Sequence, residues 1–341
     1  MAGSLRNKQL RPENRAIAPD LSIELAGLEL EHPILNGSGT FDAIAALRTF
    51  GPELRERFPF SAFVSKTITV APREGNPPPR LWETPAGLIN SIGLPNRGLE
   101  GFLAHDLPVL ATLPAPLVVS VAGFSHDEFA RLVEAVAAED VVAALELNVS
   151  CPNVKSGCVM GAEPLETLAL LERVRPVTSK TLVVKLTPNA TDVGAVAEAA
   201  EQGGADALSL INTLRSVAID PSSGAFSGRT WLGAGSGGLS GPAVRAVALE
   251  QVQTVAARTS LPIIGMGGIR SGRDALDFLA AGASAVAVGT ENFRDPAAAR
   301  RVRDELGSLL ATRGAEPAKG ALGAASRSQK ALQMQAKSQP A

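Results

Sequence analysis

Cys151 stands between Ser150 and Pro152, just past the apolar run Ala144 to Ser150. A proline there forces an extended or turning backbone on its predecessor, which presents the thiol in a loop. With an ordinary pKa of about 8.5, a thiol beside a lysine or another positive dipole can serve as a general base near neutral pH. Cys158, seven residues on, reads instead as a small buried hydrophobe. No Ser-His-Asp arrangement competes, because His32 precedes a strand, His105 falls in a helical stretch and His126 starts a helix. Two lysines follow strand-like runs, Lys66 after FVS and Lys185 after LVV. Embedding such ammonium groups without a partner is costly; each could snorkel or pair with a strand-end carboxylate, but at the C-terminal ends of barrel strands a bound anion explains them better. Gly265-Met266-Gly267-Gly268, Gly289-Thr290 and Ser240-Gly241 would let backbone N–H groups approach a phosphate. Asn90, Asn148, Asn153 and Asn212 fall at strand ends or in a long insertion, although asparagine is a poor strand residue. Amides converging on one mouth suit a small planar ligand with alternating carbonyl and N–H groups.

These residues need a scaffold, and the sequence repeats one. Eight short apolar runs recur: Pro33 to Gly39, Ala62 to Ile68, Leu117 to Gly123, Ala144 to Ser150, Leu182 to Thr187, Ala207 to Thr213, Pro262 to Gly268 and Ala285 to Thr290. Each is followed by a stretch of helical periodicity. Near-continuous apolar strands imply burial on both faces, and eight β/α units predict a closed (β/α)₈ TIM barrel, an α/β fold. Helices are predicted over His126 to Ala138, capped by Ser125, and over Asp192 to Gln202 and Asp274 to Ala281. Gly203, Gly204 and Gly282 follow them as left-handed caps. Two strand-to-strand intervals are far longer than the rest. They hold the insertions Val70 to Pro95, rich in proline, and Leu214 to Ser240, rich in glycine. Both follow strands and are expected to be binding loops on the barrel's C-terminal face.

Composition excludes several classes. The 341 residues carry 32 Lys plus Arg against 34 Asp plus Glu, a net charge of −2, and only 4% aromatics without tyrosine. Neither a basic surface for nucleic acid nor a stacking platform is supplied. Two cysteines without a histidine cluster fit neither a disulfide framework nor a metal site. No apolar run approaches the roughly 20 residues of a membrane span. A cytoplasmic protein without membrane or nucleic-acid partners is expected. Residues 1–20 read as a flexible segment, 21–312 as the barrel, and 313–341 as a disordered basic tail rich in Ala, Gly and Ser.

The motifs NGSGTF (Asn36 to Phe41), SKTIT (Ser65 to Thr69), NSIGLPNRG (Asn90 to Gly98), ELNVSCPNVKSG (Glu146 to Gly157), VKLTPN (Val184 to Asn189), INT (Ile211 to Thr213), GGLSGPA (Gly237 to Ala243), GMGGI (Gly265 to Ile269) and VGT (Val288 to Thr290) occur in that order. Together they resemble class 1 dihydroorotate dehydrogenase. The resemblance runs from about Leu21 to about Leu310 and implies an FMN-containing barrel that oxidises dihydroorotate to orotate in pyrimidine synthesis. Carried over motif by motif, it implies FMN contacts at Ser38, Lys66, Thr67, Asn148, Lys185, Ile211, Gly241, Gly267, Gly268, Gly289 and Thr290. It implies substrate contacts at Lys66, Asn90, Ser91, Ile92, Gly93, Leu94, Asn148, Asn153, Asn212 and Thr213, with Cys151 and Lys66 catalytic. One position departs: Ser120 stands where the family often has asparagine, so a ligand contact there would be shortened or replaced by water.

The cysteine base, and the lack of an N-terminal membrane-associating helix, resemble the soluble class 1 enzymes. NVSCPNVKSG and GGLSGPA resemble the type that works with NAD⁺ through a partner subunit carrying an iron–sulfur cluster and FAD. A homo-oligomer or heterotetramer is then expected. Trp231, in the glycine-rich insertion, is either part of that interface or tucked over its own barrel. Rival readings are a dihydropyrimidine dehydrogenase-like flavin module acting on uracil-type rings, a barrel lyase acting on a sugar phosphate, and a non-catalytic phosphate- or flavin-binding barrel subunit. SCPN argues against the first, the want of a second acid/base against the second, and Cys151 beside four asparagines against the third.

Overall fold

The computed structural model describes residues 19–150, 160–222, 224 and 227–312. The flexible-segment reading of 1–20, all but its last two residues, and the tail reading of 313–341 lie outside them. Two short strands come first, β1 (Ile23–Leu25) and β2 (Leu28–Leu30), which pair antiparallel. Their turn is Ala26-Gly27, both at positive φ (49° and 85°), which gives the twist of a two-residue hairpin. Ile23, Leu25 and Leu30 pack into the barrel's N-terminal end and close it, and Thr181 donates to the Ala26 carbonyl at 2.9 Å.

Next come β3 (Ile34–Asn36) and β4 (Phe63–Val64), then an excursion holding β5 (Leu81–Thr84) and β6 (Gly87–Asn90). They are followed by β7 (Leu117–Val121), β8 (Val142–Asn148), β9 (Thr181–Lys185) and β10 (Ala207–Leu210). A second excursion holds β11 (Leu214–Val217) and β12 (Ser236–Ser240), before β13 (Ile263–Met266) and β14 (Ala285–Val288). One eight-stranded parallel sheet runs β3-β14-β13-β10-β9-β8-β7-β4. All eight expected runs supply one strand each, which makes the expected (β/α)₈ barrel. Helices such as His126–Ala137, Val193–Gln202 and Gly272–Ala280 cover its outside.

Closure between β3 and β4 combines a backbone bond, Ser61 N to the Ile34 carbonyl at 3.0 Å, with a side chain. Asn36, fully buried, accepts from the Val64 amide and donates to the Val64 carbonyl, both at 2.8 Å, standing in for a peptide of the ladder. Asn36→Ala should therefore leave a buried N–H and C=O unpaired. A loss of about 2–4 kcal/mol is expected in denaturant unfolding; an unchanged midpoint would remove Asn36 from barrel closure.

Several expectations need correction. The two insertions are not loops throughout: β11-β12-β6-β5 form a four-stranded antiparallel sheet over the barrel mouth. β5-β6 and β11-β12 pair within their own insertions, but the pairing that joins the two, Asn90 with Gly238, spans 148 positions, so neither segment carries a local signal of it. The third helix begins at Gly272, two residues early, because Ser271 and Asp274 close a capping box there. Gly203 stays right-handed (φ −76°), and Gly204 (φ 86°) makes the left-handed turn. Trp231 packs on Trp82 with ring centroids 5.1 Å apart and donates to the Leu81 carbonyl at 3.2 Å. Each tryptophan remains half-buried.

Candidate active site

The barrel interior changes character along its axis. Below, Leu35, Val64, Val118, Ala144, Val183, Ala207 and Ile264 fill it against the hairpin. Above, toward the strands' C-terminal ends, inward positions carry Ser120, Glu146, Asn148, Lys185 and Ser209, all buried. Buried polar groups must find partners, and these do so in a directed chain. Asn212 donates to the Asn148 Oδ1 at 3.3 Å, and Asn148 Nδ2 donates to Thr67 Oγ1 at 3.3 Å. Thr67 and Ser120 hydroxyls meet at 2.9 Å, and Ser120 donates to Glu146 Oε1 at 3.0 Å. Because Ser120 spends its proton on the carboxylate, Thr67 is the donor in their shared bond. Asn212 also donates to the Ser150 hydroxyl at 2.8 Å, next to Cys151 in the chain.

Lys185 belongs to the same layer. Its Nζ donates to Ser38 Oγ at 2.9 Å and lies 4.0 Å from Glu146 Oε1. Lys66, expected to be embedded, is instead exposed at the mouth, where its Nζ comes near Gly39. Its ammonium has no hydrogen bond or ion pair among the described residues. Its surroundings nevertheless hold its pKa below the ordinary 10.5: crowding by protein strips water from the ammonium and outweighs the opposing pull of Asp42.

The Asn90 to Leu94 segment is held from several sides. Asn76 Nδ2 donates to the Ser91 hydroxyl at 3.0 Å, Arg73 to the Gly93 carbonyl at 3.2 Å and Asn96 Nδ2 to the Leu94 carbonyl at 2.8 Å. Asn90 donates to the Gly238 carbonyl at 3.1 Å. A Cβ at Gly238 would overlap the Thr213 side chain, so glycine there lets the excursion sheet bring Asn90 and Thr213 together. Thr213 N donates to Asn212 Oδ1 at 2.8 Å, which connects this edge to the interior chain.

Where β12 ends, Gly241, Gly268 and Thr290 converge. A Cβ at Gly268 would strike the Gly241 carbonyl and Arg245, and both glycines have positive φ (76° and 85°). Thr290 donates to Ser240 Oγ at 2.9 Å, and Ile211, after a cis peptide from Leu210, bonds through its amide to the Met266 carbonyl at 2.9 Å. Gly267 and Gly289 line the same loops. Cys151, Asn153 and Cys158 lie outside the described residues.

A model of the dihydroorotate dehydrogenase family matches residues 20–310 of the chain. The chain belongs to that family. It is 46% identical over 307 residues to the dihydroorotate dehydrogenase B (NAD(+)) catalytic subunit of Desulforudis audaxviator, covering 90% of this chain and 97% of that protein. It is 43% identical over 310 residues to the subunit of the same name from Geotalea daltonii, covering 90% and 98%. A crystal structure of the Eimeria tenella dihydroorotate dehydrogenase superposes with a TM-score of 0.69 at 25% identity, covering 92% of this chain and 90% of that one.

Within this dihydroorotate dehydrogenase fold, the histidines stay away from the mouth. His32 is buried before β3, its pKa pushed down to about 4 chiefly by desolvation, and His126 starts a helix 3.4 Å from Glu166. Ser120 lies in the same interior layer as Asn148 and Lys185, its hydroxyl accepting from Thr67 and donating to Glu146. Sequence reasoning passed over Glu146, Ser209, Asn76, Arg73 and Asn96. Glu146 carried a signal, as a carboxylate inside an apolar strand run; Ser209 sits in β10 and shows its role only once Glu146 lies beside it, and Asn76, Arg73 and Asn96 act through the fold of the first excursion. Among the described residues no helix is long and apolar enough to cross a membrane, and no group of three or more His, Cys, Asp or Glu could hold a metal.

Proposed function

We propose that this chain uses FMN and a Cys151 base to oxidise dihydroorotate to orotate. The dehydrogenase activity, a step of pyrimidine biosynthesis, goes with the family to which the chain belongs. The observation that carries the mechanistic reading is the barrel mouth itself, where Lys66, Asn90, Asn148, Asn212 and Thr213 surround the opening above Lys185.

The site suits a flavin nucleotide. Lys185 has a single hydrogen bond to protein among the described residues, which leaves N–H donors for a ring carbonyl or nitrogen. Gly241, Gly267, Gly268, Gly289 and Thr290 would hold the phosphate by backbone N–H groups; Ser38, Lys66, Thr67, Asn148, Lys185 and Ile211 would hold the ring. When bound, FMN supplies the acceptor for the hydride leaving C6 of the substrate. The chain's own part is proton transfer and placement. Cys151, as thiolate, takes the proton from C5. Lys66 holds the substrate carboxylate by charge; Asn90, Asn148, Asn153, Asn212 and Thr213, with the backbone of Ser91 to Leu94, hold its ring amides.

The relatives' designation as the catalytic subunit of an NAD(+) enzyme supports a partner. By this reading the partner carries an iron–sulfur cluster and FAD, passes electrons to NAD⁺ and completes a heterotetramer in the cytoplasm. The test is direct: the purified chain is scanned for flavin absorbance and then given dihydroorotate anaerobically. Bleaching of the flavin is expected. A chain without flavin, or flavin bleached by dihydrouracil and not by dihydroorotate, would overturn the proposal. Asn90→Ala adds a second check, expected to weaken orotate binding roughly tenfold, the worth of one good hydrogen bond, while retaining flavin. Unchanged orotate affinity, measured by flavin absorbance titration, would take Asn90 out of the substrate site.

A further inference from the structure

Glu146 is 2% exposed, projects from the middle of the barrel wall, and has no place in the substrate or phosphate contacts above. Its Oε1 accepts from Ser120 at 3.0 Å and its Oε2 from Ser209 at 3.2 Å. The register pairs Glu146 with Val183 and Asn148 with Lys185, so the lysine stands one step nearer the mouth on the adjoining strand. Among the described residues neither Glu146 nor Lys185 has another ion-pair partner. Beneath the carboxylate the lining is apolar, with Leu35, Val64, Val118 and Ile264. Among the described residues this ammonium, 6% exposed, has no other carboxylate within ion-pair distance to compensate its charge.

The pair is held open. At 4.0 Å the carboxylate balances the ammonium without taking one of its hydrogen bonds, and two hydroxyls occupy the carboxylate instead. Among the described residues only Ser38 takes a donor of the Lys185 ammonium, at 2.9 Å. A buried ion pair is weak evidence for stability, since apolar residues of similar volume commonly serve as well. An arrangement that keeps the charge and frees the donors serves a ligand.

We infer that Glu146 is a positioning residue for Lys185, fixed by Ser120 and Ser209, which keeps a cation with free donors aimed at the bound flavin. This deepens the FMN reading and rests on it. Without the carboxylate, the ammonium must leave its place or shed its charge, and the positive charge that favours reduced over oxidised flavin is lost from that point.

The test is a double-mutant cycle read as flavin midpoint potential in the holoprotein. Glu146→Gln keeps the shape and removes the charge. It should lower the relative affinity for reduced over oxidised flavin at least tenfold, a fall of about 30 mV for a two-electron couple. Lys185→Met should lower it too, and Glu146→Gln added to Lys185→Met should change nothing further. An equal fall in both backgrounds, a rise, or no shift at all would overturn the inference. Should Glu146→Gln not fold alone, Ser209→Ala serves: a smaller fall in the wild-type background, absent beside Lys185→Met, is expected, and equal falls count against it. Thermal unfolding of the flavin-free chain separates the two readings. Each single variant should lower the midpoint and the pair should regain part of it. Wild-type protein that binds no flavin defeats the FMN reading alone, whereas strictly additive unfolding shifts defeat the coupling.

Discussion

Cys151→Ala should reduce its flavin with dihydroorotate at least about 10²-fold more slowly than the wild-type chain, while binding FMN and orotate normally. The expectation follows from dividing the reaction: hydride departure from C6 needs the C5 proton removed, and alanine cannot take it. Binding should survive because the ligand is held elsewhere, by the lysines, the asparagines and the glycine loops. Anaerobic stopped-flow at the flavin absorbance reads the step itself, free of electron-acceptor kinetics. Near-normal reduction in the alanine variant would end the case for Cys151 as base. Cys151→Ser should keep a residual rate that climbs with pH, since an alkoxide forms far less readily than a thiolate.

Lys66→Met should raise the dissociation constant of orotate roughly 30- to 150-fold, the worth of one charge-assisted hydrogen bond at about 2–3 kcal/mol, with flavin still in place. The group is suited to this because it faces the mouth without a hydrogen bond or ion pair among the described residues. Its pKa supplies a second signature. Desolvation holds it below 10.5 against the opposing pull of Asp42, so the ammonium is lost earlier on the alkaline side than in a free lysine. The charged form binds the carboxylate. Orotate affinity should therefore fall as pH rises through the lowered pKa, and that alkaline limb should be missing in Lys66→Met. A limb that persists in the methionine variant would assign the titration to another group. Lys66→Arg should retain binding further up the pH scale, because guanidinium stays charged.

The scaffold is legible in the sequence because a parallel barrel writes itself locally. Strands buried on both faces read as short apolar runs, and amphipathic helices follow at regular spacing, so Leu117–Val121 and His126–Ala137 appear almost where periodicity puts them. Lys66, Asn148, Lys185, Asn212 and the glycine pairs stand out in the sequence for a related reason: polar groups and glycines at apolar strand ends depart from the local pattern. What tertiary structure decides is every relation between segments distant in sequence. Asn36 reads as one residue of a motif until it is seen closing β3 onto β4. Ser120 reads as a ligand contact shortened or replaced by water, and its bonds to Thr67 and to Glu146 on the neighbouring strand are visible only in the fold. The two insertions read as loops although each holds a hairpin, and the pairing of Asn90 with Gly238 that merges the hairpins into one sheet leaves no mark on either stretch alone. Glu146 shows the division most sharply. Its residue type announces a buried charge, but only the fold supplies Lys185 at 4.0 Å and two serines from other strands, because burial costs are settled in three dimensions.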